Sequence, residues 1–438
     1  MHRFTSAAIV ALMAGGASAG PDVICGELTG VNNYGEINGI RAYSIGTTSC
    51  NIGDAPADWI AETPRHPVIS ATVWKYDFET QRLRQIGLTQ LKHSFAALQQ
   101  DACSPCSGGF TFDALEPGCS DPYTAGLNGD QRDLGPRAEV NAYTGDFPYP
   151  FTGINQTGNS IFKRVQVPQS EIEDSTANFY AEGSYTLQDD YEAGTHMNNA
   201  SYSAFSINQS TFSATTPGQT FREIPAIYAW QAEDSSVQIT EVDVPNDGRL
   251  IVASNVTDLG GGTYRYDYGV YNQNSDKSVA SFSVPTNTDA SGFFYHDVSY
   301  HGPFDNNLKD TDWDRTSDSS SLSWSTDTFD QDQWANAIRW GTMYNFSFET
   351  DSPPVQGDVT LGTFKGSETV TTGAFVPEMQ AQGCAIDFND NGEADFGDLN
   401  SFIQFWSQDK PPADLNDNGG ADFGDINLFT TLFQAGCP

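Results

Sequence analysis

Positive charge is what this sequence has least of. Lys and Arg total 20 against 57 Asp and Glu, a formal net charge of −37 with His neutral. A surface of that sign repels nucleic acid and anionic lipid, so neither is an expected partner. Long apolar runs are scarce too. Beyond the N-terminus none approaches the ~18 residues that a membrane-spanning helix needs. Catalytic signatures are missing: there is no H-E-x-x-H and no phosphate loop, and the G-x-S-x-G at Gly16–Gly20 straddles a leader cleavage site. Acidic pairs are too numerous for any two to be chosen as a glycosidase dyad. Catalytic residues therefore stay unassigned, and the sequence leaves open whether the protein is an enzyme.

The N-terminus reads as a signal peptide. His2 and Arg3 precede an apolar run, and Ala17-Ser18-Ala19 is the small-x-small pattern of a cleavage site after residue 19. The expected location is extracellular, secreted or on the cell surface. Losing Arg3 takes the net charge to −38. All seven cysteines (Cys25, Cys50, Cys103, Cys106, Cys119, Cys384 and Cys437) lie after that site, where disulfides are the default. Seven is odd, so one thiol is left over. Cys25–Cys50 is one expected pair. One of Cys103, Cys106 and Cys119 is then the odd thiol, unless Cys50 pairs among them.

Residues 20–365 read as mainly β. In "TYRYDYGVY" (263–271), Tyr264, Tyr266, Tyr268 and Val270 share one face, with Arg265 and Asp267 on the other. "SVASFSV" (278–284), "TEVDV" (240–244) and "MYNFSFET" (343–350) alternate likewise. Short strands separated by turns predict one or two antiparallel β-sandwich-like domains, 20–220 and 221–365, divided near the apolar-poor stretch 207–220. The exception is 85–100, where Ile86, Leu91, Phe95 and Leu98 recur at helical intervals and predict a helix over 88–99. Residues 366–383 read as a linker.

The body offers few constellations. His296 and His301, five apart, fall on opposite faces of a strand and share no site. His66, His93 and His196 have no partner in the sequence. His93, Cys103, Cys106 and Cys119 are by type a tetrahedral N/S metal set, but export favours a disulfide-bound loop. A C-x-x-C redox role lacks the surrounding βαβ pattern. Arg132 and Arg137 stand out in a cation-poor chain, as an anion or carbohydrate contact or as structural ion pairs. The Tyr264–Tyr268 face and Trp313, Trp324, Trp334 and Trp340 are sugar-stacking candidates, with a sandwich core as the alternative.

The last 55 residues are different. "DFNDNGEADFGD" (387–398) returns 27 residues later as "DLNDNGGADFGD" (414–425). A calcium loop places oxygen ligands at positions 1, 3, 5, 9 and 12, a main-chain carbonyl at 7 and a turn glycine at 6. The first copy supplies Asp387, Asn389, Asn391, Asp395 and Asp398, with Gly392 at the turn and Glu393 at position 7. The second supplies Asp414, Asn416, Asn418, Asp422 and Asp425, with Gly419 at the turn and Gly420 at position 7. Each copy runs into a helix with matched apolar residues: Phe396 on Phe423, Leu399 on Ile426, Phe402 on Phe429. Two calcium ions are expected.

These residues resemble a dockerin domain, the paired calcium-loop module that docks exported proteins onto cohesins. The resemblance covers about 383–438 and is closest to bacterial dockerin-like tails described as GC-type, through Gly383-Cys384 and Gly436-Cys437. It implies a small all-α module over 384–438, clasped by a Cys384–Cys437 disulfide, with a cohesin-like or other surface-anchoring partner. Cellulosomal dockerins often carry Ser or Thr at loop positions 10 and 11. Here those positions are Phe396-Gly397 and Phe423-Gly424, which points away from a standard cellulosomal cohesin. Two functions follow. One is a non-enzymatic binding or assembly protein tethered through this tail, with carbohydrate among its ligands. The other is an extracellular polysaccharide-active enzyme of glycoside hydrolase type carrying the same tail.

Overall fold

The computed structural model describes residues 20–379, apart from 107, 108, 110 and 301–307, and residues 386–435, apart from 390–392, 409 and 417. The leader, His301, Asn391, Gly392, Cys384 and Cys437 lie outside the described residues, so the Cys384–Cys437 pairing does too.

The first half builds one large antiparallel sheet. Its main path runs Val23–Ile37, Ile40–Asn51, Val165–Pro168, Arg82–Leu88, Val68–Asp77, Asn178–Thr186, Ala200–Ala204. Val68–Asp77 shows why the sheet forms. Val68, Ile69, Thr72 and Val73 are β-branched and stiff, suited to a pleated surface. Ile69, Ala71 and Val73 face one core with Tyr43, Ile45 and Tyr185. Trp74 and Tyr76 face a second core on the other side. Period-two alternation thus feeds two cores, and the strand is buried along nearly its whole length.

The helix expected over 88–99 is not there. Arg82–Leu88 and Leu91–His93 are strands, and 94–99 is irregular. Ile86, Leu83 and Leu88 enter three different cores, so apolar residues appear on both faces and mimic helical spacing. Phe95 and Leu98, which a helix would have buried, are exposed. Helices in the body are short: Ala125–Asn128, Gln169–Ile172, Gln188–Ala193 and Tyr228–Glu233.

The second half is a β-sandwich. One sheet orders Gln238–Asp243, Arg249–Gly260, Thr263–Asn272, Thr342–Thr350, Ser291–His296. The other orders Asp314–Ser317, Ser321–Ser325, Val279–Pro285, Pro354–Thr363, Thr369–Pro377. Tyr266, Tyr268 and Val270 point inward as their alternation requires, against Phe282 and Trp324 of the facing sheet. The Tyr268 hydroxyl donates to the Phe375 carbonyl across the core, at 2.7 Å. Thr369–Pro377 occupies half of the segment read as a linker. Its residues alternate between buried and less buried positions, it closes one edge of the second sheet, and the body extends to Glu378.

No core boundary falls near residue 220. Residues up to Glu378 form one compact unit and Met379–Pro438 a second. Trp74, Tyr76, Leu83 and Tyr202 of the large sheet share a core with Trp230, Ile251, Tyr271 and Met343. Polar groups cross the same seam. Arg82 pairs with Asp267 and donates to Ser347 Oγ. Gln85 donates to the Gly341 carbonyl and accepts from Met343 N–H.

In the second unit Phe396–Trp406 and Phe423–Ala435 are helices. Ile386, Phe402, Ala413 and Phe429 form its buried centre, with the Phe402 and Phe429 rings stacked 4.3 Å apart.

Candidate functional site

The two tail loops share three hydrogen bonds at the last carboxylate and the helix cap, and Leu415 N–H adds a further one to Asp425. Asp398 Oδ1 accepts from Asn389 N–H at 3.1 Å, and Asp425 Oδ1 accepts from Asn416 N–H at 3.1 Å. Asp398 Oδ2 accepts from Asp395 N–H at 2.8 Å, and Asp425 Oδ2 from Asp422 N–H at 2.7 Å. Asp395 and Asp422 each cap their helix by accepting from the glycine two residues on, Gly397 or Gly424. Those glycines are required: an added Cβ would come 2.5 Å from Asn389 Nδ2 in one loop and 2.7 Å from Asn416 Nδ2 in the other.

The second loop shows the turn itself. Gly419 has φ +102, open to glycine and strained for other residues. Its N–H donates to Asp414 Oδ2 at 2.8 Å, while Asn418 N–H donates to Asp414 Oδ1 and Asn416 Oδ1. Both Asp398 and Asp425 are fully buried although charged in type. The three backbone N–H groups around Asp425 hold its carboxyl below the usual carboxylate range. The donor set is all oxygen, as a hard divalent cation requires. Among the described residues, no three His, Cys, Asp or Glu side chains converge as a metal site. Phe396 and Phe423, the first residues of the two helices, are 77% and 76% exposed.

The expected Cys25–Cys50 pair does not form, and the alternative holds in which Cys50 pairs among the three loop cysteines. Cys50 bonds Cys103 and Cys106 bonds Cys119, leaving Cys25 as the buried free thiol. Strand register explains it. Ile24 lies opposite Cys50 and Cys25 opposite Ser49, so the two cysteines point to opposite faces of one ribbon. These bridges also remove Cys103, Cys106 and Cys119 from any metal set with His93.

The aromatic candidates are mostly core. Tyr266 and Tyr268 are buried, as are Trp313, Trp324 and Trp340, and Tyr264 and Trp334 are half-buried. Arg137 is a structural cation: it donates to Ser70 Oγ and to the carbonyls of Thr89 and Trp340, with its guanidinium over the Trp340 ring. Arg132 pairs with Asp130 at the surface.

Sequence reasoning missed one pair. His66 Nε2 and His93 Nδ1 lie 3.0 Å apart. The two are 27 residues apart in sequence, and only the pairing of Val68 with His93 brings them together.

No protein-family model and no curated protein sequence matches this chain. Similar solved structures include the serine-rich repeat adhesion glycoprotein Srr1 of Streptococcus agalactiae, at 10% identity and TM-score 0.21, over 81% of this chain and 97% of that one. The exo-beta-D-glucosaminidase CsxA, bound to castanospermine- and australine-type inhibitors, gives 9% identity and TM-score 0.15, over 75% of this chain and 25% of that one. At such scores neither likeness bears on this chain's ligands or activity.

Proposed function

We propose that this is an exported, extracellular or surface-attached binding protein, whose β-rich body is tethered by a calcium-dependent, dockerin-like tail. The observation that carries this reading is the duplicated hydrogen-bond set of the two tail loops. A repeat kept in twelve-residue spacing, turn glycine and bonds to the position-12 carboxylate is what two equivalent cation sites need. The residues that would hold the ions are Asp387, Asn389, Asn391, Asp395 and Asp398 with the Glu393 carbonyl, and Asp414, Asn416, Asn418, Asp422 and Asp425 with the Gly420 carbonyl. The ion supplies charge balance for three carboxylates per loop and ties each loop to its helix.

The two body disulfides fit an oxidising compartment. Phe396 and Phe423, equivalent and exposed, suit a partner that offers apolar pockets rather than a hydroxyl-reading one. Calorimetry of the full mature chain with calcium tests the reading. Two ions per chain are expected, one after Asp414→Ala, and none after Asp387→Ala with Asp414→Ala. Absence of calcium binding at millimolar concentration would overturn it.

A further inference from the structure

A cavity of about 480 Å3 lies beside the Leu91–His93 strand, lined by that strand and the 149–155 loop. It falls within the ~300–1,000 Å3 range of small-molecule sites. Two features of its lining point to an occupant.

An orphaned hydroxyl is not one of them. Ser94 is 3% exposed, and its Oγ has no hydrogen-bond partner. The atom itself is shielded from the cavity, so it marks a polar group left over in the wall and not a contact for an occupant.

The first is a fixed lone pair. His66 Nδ1 lies 3.4 Å from the Ile60 carbonyl, which only accepts, so Nδ1 carries the proton. His66 Nε2 then accepts from His93 Nδ1–H, and His93 Nε2 is left as an acceptor. Burial keeps both imidazoles neutral by lowering their pKa values to about 4 and about 3. Asp133, one oxygen of which is held by Lys92 Nζ at 2.6 Å, adds a second fixed acceptor.

The second is exposed aromatic surface. Phe95 is 45% and Tyr149 53% exposed, and Phe151 packs on the His93 ring at 4.0 Å.

Acceptors held in place and aromatic faces call for a ligand rich in O–H donors with an apolar C–H face. An anion would meet Asp133 and Glu62, which also line the cavity. We propose that this cavity is a saccharide-binding site. It seats one neutral pyranose unit whose hydroxyls donate to His93 Nε2 and Asp133, and whose C–H face lies on Tyr149 and Phe95. This deepens the reading of the body as a binding module and does not depend on the tail.

The test uses the full mature chain and saturation-transfer NMR with calorimetry. The probes are glucose, galactose, mannose, N-acetylglucosamine and their β-linked disaccharides, with tetramethylammonium as the control for a cation cage. At least one saccharide should bind with millimolar or tighter Kd. Binding should be unchanged by EDTA, which separates this site from calcium-dependent docking. Tyr149→Ala should weaken binding about tenfold or more by removing the stacking face. Ser94→Ala should leave binding unchanged and the melting temperature equal or higher, because the hydroxyl is closed off from the cavity and makes no bond in the fold. The proposal fails if no saccharide binds at ~10 mM, about −2.7 kcal/mol or weaker. It also fails if Tyr149→Ala binds as tightly as wild type, or if tetramethylammonium alone occupies the site.

Discussion

The Tyr271 hydroxyl donates to Glu182 Oε1 at 2.8 Å, joining a sandwich strand to the large sheet inside the body's shared core. Glu182 Oε2 accepts from Ala226 N–H. Burial raises the Glu182 pKa to about 7 from a reference of 4.5. Between these values the folded chain holds a proton that the unfolded chain has lost. The resulting stability is therefore complete below about 4.5 and lost as pH rises through 7. Glu182→Gln should flatten the stability–pH curve of the body across this window by up to about 3 kcal/mol, measured by urea titration at several pH values. His66 and His93 act in the opposite sense, because only the unfolded chain gains their protons as pH falls below 6.5. The comparison must be made against wild type at each pH.

Asp267 is buried between two arginines. Arg82 reaches it from the large sheet, and Arg265 from its own strand at 2.7 Å. Asp267→Ala strands both guanidinium groups and should destabilise the body by about 3–5 kcal/mol. Arg82→Met with Asp267→Leu should recover part of that loss by replacing charge with packing. Denaturant midpoints of the three proteins decide it. An Asp267→Ala protein as stable as wild type would mean the pair contributes nothing.

Removing calcium should act on the tail alone. With EDTA, limited proteolysis should cut within 386–435 and leave 20–378 intact, because the tail's core residues are separate from those of the body. Asp414→Ala should reproduce partial loosening without chelator, since Asp414 also holds the turn through Asn418 and Gly419 N–H. Equal protection with and without EDTA would count against the calcium reading.

Cys25 should resist a thiol reagent in the native protein and react once the chain is unfolded, since burial raises its pKa. Non-reducing peptide maps should show Cys50–Cys103 and Cys106–Cys119. Removing the first bridge, which closes 53 residues, should cost about 4 kcal/mol on the chain-entropy account.

The paired loops and helices of the tail were legible because their residues lie at set local offsets, and the structure repeats the same bonds to Asp398 and Asp425. The sandwich strand at Thr263–Asn272 was legible because only one of its faces is wholly apolar. Arg82–Leu88 was misread because both its faces are covered, which erases the period on which the reading relies. The cysteine pairing, the His66–His93 contact and the single body unit depend on which strands lie side by side. That information sits in residues far apart, such as Arg82 and Asp267, and no local pattern records it. The cavity was invisible for the same reason, since His93, Asp133 and Tyr149 come from three separate stretches.

The seam also sets the order of assembly. Arg82 meets Ser347 265 residues downstream, and Leu83 receives Asn345. A growing chain that has emerged as far as residue 230 therefore carries a sheet with one bare apolar side and an unpaired cation, and it waits for another hundred residues to cover them. Such a chain gains nothing from folding early. It is suited to closing in a single step once the whole body is present.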